Sequence, residues 1–173
     1  MEKEKDTRPI ILAAFALLAL VIVGVVLISR SGGDGGGGEG SASATKEIEE
    51  RGKPKVTVKK GTQPPKELVT NDLVEGTGEE AESGDEVSVQ YVGVNYKTGR
   101  EFDSSWSRNE PFPFTLGKGE VIPGWDQGVV GMKVGGRREL IIPPELAYGP
   151  AGSPPAIGPN ETLVFVIDLE AVN

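Results

Sequence analysis

The chain has no cysteine and no histidine among its 173 residues. Zinc sites of the His/Cys kind, thiol nucleophiles and histidine-assisted serine nucleophiles therefore all lack their parts. Without cysteine there is no disulfide framework, and no residue to carry the lipid of a lipoprotein. The globular part must hold together by its core, which about 120 residues can supply. Positive charge is also short: 18 Lys and Arg stand against 26 Asp and Glu, net −8. That excludes a nucleic-acid surface, which needs a basic footprint, and reads as solubility instead. Aromatics make up only 6% of the chain, yet all but Phe15 fall between Tyr91 and Phe165.

What the chain does have begins with one long apolar run. Residues 10–28, IILAAFALLALVIVGVVLI, carry no charge. As a helix the run rises about 28 Å, close to the thickness of a bilayer's hydrocarbon. A cleaved signal peptide is the rival reading. Its apolar core is shorter, and a small-residue cleavage site follows it closely. The only such triplet, Ala42-Ser43-Ala44, lies well beyond the run, so length and spacing favour an uncleaved anchor. Lys3, Lys5 and Arg8 precede the run, and Arg30 stands alone after it. The basic flank places residues 1–9 in the cytoplasm and the bulk of the chain outside, as a single-pass protein of the cell membrane. Residues 29–53 contain GGDGGGGEG and SASAT, a composition that reads as a flexible Gly/Ser-rich linker, with at most a frayed turn at Ile48–Arg51.

The globular domain is expected over 54–173. Lys55–Val58 reads as a short edge strand and Leu68–Val74 as an extended segment, followed by a turn at Gly76-Thr77-Gly78 and an acidic loop over 79–85. Val87–Tyr91 alternates apolar and polar, the period of a half-buried strand, and runs on to a turn at Lys97-Thr98-Gly99. Phe112–Leu116 alternates again, with Pro113 pointing to an edge. Arg138–Ile142 is stopped by Pro143-Pro144. Leu163–Val172 is the clearest strand: Leu163, Phe165, Ile167 and Leu169 share one face, and Asp168 and Glu170 share the other with Val164 and Val166. A single segment looks helical, from Pro123, with Trp125, Val129 and Met132 on one face. Many strands and one short helix predict an α+β domain, an antiparallel sheet curled over that helix.

Three motifs hold the chemistry. In Val121-Ile122-Pro123-Gly124-Trp125 the Pro and Gly force a strand-to-helix turn, leaving the Ile122 N–H free to point outward. Trp125 then either sits in the core or forms the floor of a pocket. Phe102-Asp103-Ser104-Ser105 is either an ordinary strand end or an apolar wall with a carboxylate at its rim, and Arg108 is the partner that keeps Asp103 ionised. Ala147-Tyr148-Gly149 opens a Gly/Pro-rich loop, in which the Tyr148 hydroxyl either meets water or bonds an incoming carbonyl.

Together, in this order and spacing, the stretches VQYVGV, GREFDSSWSRNEPFPFTLGKGEVIPGWDQGVVGMKVGGRRELIIPPELAYG and TLVFVIDLE resemble the FKBP family of peptidyl-prolyl cis-trans isomerases, the macrolide-binding immunophilins. The resemblance spans about residues 66–173 and suggests a membrane-anchored bacterial form. It implies a five-stranded antiparallel half-barrel wrapped on one short helix, with the pocket between them. By position it implies that Tyr91, Phe102, Asp103, Ile122, Trp125, Tyr148 and Phe165 are the catalytic pocket residues. Phe112 and Val121 would line the same pocket, with Ala147 and Ile157 near its rim. Trp125 would underlie the proline ring, Phe102 and Phe165 would flank it, and the Ile122 N–H and Tyr148 O–H would hold substrate carbonyls. Ser153 and Ala156 are smaller than the histidine and bulkier aliphatic common in the family. That bears on macrolide affinity and rim selectivity more than on activity. Trp106 stands in a loop often charged in the family, as a protein-contacting aromatic or as surface packing.

The implied function is rotation of X-Pro bonds in extracytoplasmic protein folding. The uncatalysed barrier is about 18–20 kcal/mol, and no bond is made or broken, so no acid, base, metal or cofactor is required. A dry pocket disfavours the planar, resonance-stabilised amide relative to the twisted one. The implied partners are proline-containing unfolded or nascent proteins, macrolide inhibitors and, through the anchor, the membrane. The chain is expected to act as a monomer without nucleic acid. The alternative is a non-catalytic proline-segment binding module or membrane-tethered holdase chaperone. A hydrolase using Ser104 or Ser105 fails for want of a base.

Overall fold

A computed structural model describes residues 38–58 and 61–173. The apolar run at 10–28, residues 1–9 and the first part of the expected linker lie outside the described residues. Among the described residues no helix is long and apolar enough to cross a membrane.

One antiparallel sheet dominates. Its strands are β1 (Val69–Val74), β2 (Glu86–Asn95), β3 (Glu101–Ser104), β4 (Phe112–Thr115), β5 (Arg137–Ile142) and β6 (Leu163–Val172). They stand in the order β1-β5-β6-β2-β3, with β4 also on β2. The expected five strands are thus six. The difference lies at one edge, where the partner of β2 is broken in two: β3 pairs with residues 92–94 and β4 with residues 86–89. The long strands β2 and β6 form the centre, in register from Val87↔Val172 to Asn95↔Leu163 across one shift. Both are buried almost throughout.

The short helix α2 (Pro123–Gly128) starts where expected, with Pro123 in its first turn. It ends at Gly128, and the following turns carry Val129 and Met132 inward, both fully buried. Its glycines are needed for close approach. A Cβ on Gly124 would lie 2.4 Å from Ile142, and one on Gly128 would lie 2.7 Å from Leu140. Helix α2 therefore rests its glycine face on β5 and presents Trp125 to the core. The main core gathers Val87, Val89, Tyr91, Phe114, Leu116, Trp125, Leu140, Phe165 and Ile167 between α2 and the sheet.

The other face of the sheet is covered too, and here the structure corrects the expected linker. Residues Gly38–Arg51 form a helix, α1, packed on β6. Ala44 and Ile48, one turn apart, are 7% and 0% exposed. A helix of such weak intrinsic propensity holds through tertiary burial of that stripe. Gly52 ends it with φ +65°, its N–H returning to the Ile48 carbonyl at 3.0 Å. Arg51 then donates to the Gly135 carbonyl at 2.6 Å. The domain accordingly has two helices and a 3-10 turn at Pro144–Leu146, not one helix alone.

Lys55–Val58, expected as an edge strand, joins no ladder. Its Val56 and Val58 instead pack across Val92, Val94 and Val164. Trp106 joins the same cluster, so surface packing accounts for its ring. Because α1 lies over β6, its second-face carboxylates are buried. Asp168 is 0% exposed and takes bonds from Arg137 Nε at 2.7 Å and Nη2 at 2.9 Å, with Arg51 Nη1 at 3.9 Å. Burial pushes the Asp168 carboxyl above its ordinary range, and Arg137 and Arg51 oppose that rise.

Candidate functional site

The rings expected to form a pocket do come together. The Trp125 indole is 3% exposed and meets Tyr91 edge-on at 5.1 Å between ring centres and Phe165 at 5.2 Å. Phe112 approaches it at 6.1 Å, and Phe102 stands edge-on to Phe165 at 5.5 Å. Tyr91 and Phe165 reach this face from the central strands, Phe102 and Phe112 from the two halves of the broken edge. Edge-to-face packing suits the positive rim and negative face of each ring. Gly93 lies opposite Phe165 and Asp103 in the sheet. It permits the crowding, since a Cβ there would lie 2.7 Å from both Phe102 Cζ and Phe165 Cε1.

Tyr91, Trp125 and Phe165 are buried in the main core, while Phe102, Phe112, Val121, Ile122, Ala147 and Tyr148 are half-buried around them. Ile157, expected at the rim, lies deeper: it is 4% exposed and belongs to the main core. A pair of backbone bonds with Ser153, 2.9 and 3.0 Å, folds the loop that brings it in. Phe114 is a ring the pocket assignment left out. It sits 5.6 Å from Trp125 and 5.9 Å from Phe112, and the alternation Phe112-Pro113-Phe114 was the available signal.

One polar cluster borders the rings. Tyr91 O–H donates to Asp103 Oδ2. Arg108 donates to Asp103 Oδ1 at 2.5 Å and to Tyr91 Oη at 2.8 Å. The Ser104 N–H adds a bond to Oδ1 at 2.8 Å. Arg108 is thus the partner expected for Asp103, and it bridges to Tyr91 as well. Burial works against the Arg108 charge, but its bonds to Asp103 and Tyr91 outweigh that and raise its pKa. Burial, then the bond to Asp103, pushes the Tyr91 phenol well above its ordinary range. Tyr148 is pushed up to about 12 by burial and then by the Asp103 charge. Both phenols therefore stay protonated at any physiological pH.

Two donors at the rim stay open. The Ile122 carbonyl accepts from Trp125 N at 2.9 Å, starting α2, but the Ile122 N–H finds no acceptor among the described residues. The Tyr148 hydroxyl likewise makes no bond to the described protein. The loop ahead of Ile122 is pinned by carboxylates: Asp126 accepts from Gly117 N and Gly119 N, each at 2.9 Å, and Glu120 accepts from Thr115 N at 2.8 Å. The Trp125 Nε1 is buried with no partner among the described residues. Ser105, 0% exposed and bonded to Tyr91 and Gln90, is no nucleophile. Two recesses lie elsewhere, about 370 Å³ beside Tyr96 and Thr62 and about 140 Å³ beside Asp72 and Arg138. Neither is lined by any ring of this cluster.

Buried rings with two open donors beside them suit an apolar, carbonyl-bearing segment. The family described as FKBP-type peptidyl-prolyl cis-trans isomerase matches residues 77–170. An FK506-binding protein of Streptomyces anulatus is 59% identical over 113 residues, covering 65% of this chain and 91% of that one. An FK506-binding protein of Neisseria meningitidis serogroup A is 48% identical over 102 residues, 59% of this chain and 93% of its own. The crystal structure of AtFKBP13 superposes with a TM-score of 0.57 at 40% identity, covering 64% of this chain and 96% of that one. The chain belongs to the FKBP-type peptidyl-prolyl cis-trans isomerases, an enzyme family.

Proposed function

We propose that this chain accelerates X-Pro rotation in unfolded or nascent proteins outside the cytoplasm, working as a monomer tethered by residues 10–28. The observation that carries the site assignment is the pair of open donors, Ile122 N–H and Tyr148 O–H, above a buried floor of rings. A proline ring meets the half-buried rim first and reaches Trp125 as those side chains part. The carbonyls on either side then take the two donors. Water is excluded, and the planar amide loses the solvation its charge separation enjoys. The twisted form has less charge separation and loses less, so it is favoured by difference. Each factor of ten asks for about 1.36 kcal/mol. Asp103, held by Arg108, keeps the Tyr91 ring in place and transfers no proton. The same rings would receive a macrolide, the ligand named for the relatives. Ser153 and Ala156, smaller than the residues common in the family, bear on how tightly it is held. The uncharged run at 10–28 and its basic flank support the tether and its orientation.

The decisive experiment is a protease-coupled cis-trans assay on the intact chain. Turnover that a macrolide blocks supports the reading. Binding of proline peptides without turnover would favour a holding module instead. Recovery of the intact chain in the soluble rather than the membrane fraction would sink the tether.

A further inference from the structure

We propose that Ser105 is a positioning residue of the site: it plugs the break in the outer strand and fixes Arg108, and through it Asp103 and Tyr91. The proposal rests on the isomerase reading above. Strand β2 loses its outer partner between residues 89 and 92, because β4 pairs only up to Val89 and β3 only from Val92. Gln90 and Tyr91 lie in that gap, directly behind the pocket. A continuous strand would offer Tyr91 a carbonyl and an N–H there. Ser105 offers both functions from one residue. Its Oγ accepts from Tyr91 N at 2.7 Å, and its N–H donates to the Tyr91 carbonyl at 3.1 Å. The hydroxyl proton goes to Gln90 Oε1 at 2.5 Å.

The same residue starts the turn that carries the arginine. The Ser105 carbonyl accepts from Arg108 N at 2.9 Å and from Glu110 N at 3.5 Å. One fully buried serine therefore ties the backbone of Tyr91 to the loop whose guanidinium holds the Tyr91 hydroxyl and Asp103. Removing its hydroxyl leaves a buried N–H without a partner. The 105–110 turn is the part free to shift in response, since no ladder holds it. Its neighbour Ser104 is a contrast within the same motif: its Oγ is buried with no partner among the described residues. Deleting that hydroxyl leaves no donor or acceptor of another group unpaired.

The test measures kcat/KM by cis-trans assay, and thermal unfolding, for the intact chain and its Ser104→Ala, Ser105→Ala, Arg108→Ala and Ser105→Ala/Arg108→Ala variants. We expect Ser105→Ala to lose about tenfold in kcat/KM while folded, and Ser104→Ala, which keeps the N–H that bonds Asp103, to lose less. The double variant should be no worse than Arg108→Ala alone, because both changes release the same side chain. A serine that merely stabilises the fold would not give that saturation. Should Ser105→Ala fail to fold, Ser105→Cys keeps the shape with a poor acceptor and is read the same way. Parent-like activity in the Ser105 variants, or losses that multiply with Arg108→Ala, overturns the proposal. Absence of turnover in the parent chain overturns the isomerase reading and this proposal with it, and that result is distinct from an active parent with unaffected variants.

Discussion

Asp103 shows how far a single carboxylate matters when no proton moves. It is bonded by Tyr91, Arg108 and the Ser104 N–H, so its work is to hold a ring and a cation. Asp103→Ala is expected to fold and to retain about a tenth of the parent kcat/KM, the size of one lost charge-assisted bond. Complete loss of turnover in a folded Asp103→Ala protein would mean that the carboxylate does chemistry after all. The phenols lead to a second expectation. Tyr148 titrates at about 12 and Tyr91 is also raised, so both keep their protons as pH climbs, and no histidine titrates near neutrality. The kcat/KM profile should be flat from about pH 6 to about pH 9; a bell centred near 7 would contradict it. Gly93 yields the third. A methyl there collides with Phe102 and Phe165 at 2.7 Å. Gly93→Ala should splay that ring pair, cost about 1–3 kcal/mol of stability and lower kcat/KM. Unchanged kcat/KM in this variant would show that the ring pair does not set the pocket.

At the scale of elements, legibility followed the source of each element's stability. Strand β6 was plain because its alternation is its packing: Phe165 and Ile167 face α2 and the core, Val164 the other side. Helix α2 was plain because Pro123 starts it whatever surrounds it. That β3 and β4 share β2 as one broken edge was hidden, because the pairing rests on contacts between distant residues, such as Ser105 with Tyr91 fourteen residues away. Helix α1 was hidden for a stronger reason. Its sequence GEGSASATKEIEER is poor helix material, and only the burial of Ala44 and Ile48 against the sheet selects that conformation. The clustering of the rings was legible as a set, whereas the depth of Ile157 required the folded loop.

Docking of α1 also creates an electrostatic liability that can be measured. Burial raises the Glu170 pKa; a bond from Gln90 opposes this, and the nearby charges of Asp168 and Glu49 add to the rise. A raised folded-state pKa means the native state binds its proton more tightly than the unfolded chain. That stability is present at acid pH and lost as pH rises through the raised value. Glu170→Gln removes the titration and the repulsion while keeping a group that Gln90 can bond. It should melt higher than the parent at pH 7, and the gap should close as pH falls below the ordinary glutamate range. A variant less stable than the parent at neutral pH would show that the carboxylate is held by more than the raised pKa admits.

At the scale of the whole described domain, the sheet has two covered faces and different business on each. The rings, the open donors and Arg108 lie with α2 on one side. On the other lie Val56, Val58 and the Asp168 cluster with Arg137 and Arg51, while Ala44 of α1 belongs to the ring core itself. Stability should therefore draw on residues 38–53, while turnover should not. A chain beginning at residue 54 loses the burial of Ala44 and Ile48 and takes Arg51 away from Asp168, leaving a buried carboxylate with Arg137 alone. The buried Ile48 side chain, with a small addition from Ala44, and half of a buried ion pair together cost about 3–5 kcal/mol. For a domain of this size that lowers Tm by about 10 °C. The shortened chain should still turn over proline peptides within about twofold of a chain beginning at residue 38, measured where both are folded, because the α1 side chain in the ring core, Ala44, is small and the Asp168 cluster shares no partner with the rings. Equal melting temperatures for the two would mean that α1 adds nothing to the fold. A large loss of kcat/KM in the folded shorter chain would mean that the two faces are coupled through the sheet, with the buried Gln90 and Ser105 as the connection to examine next.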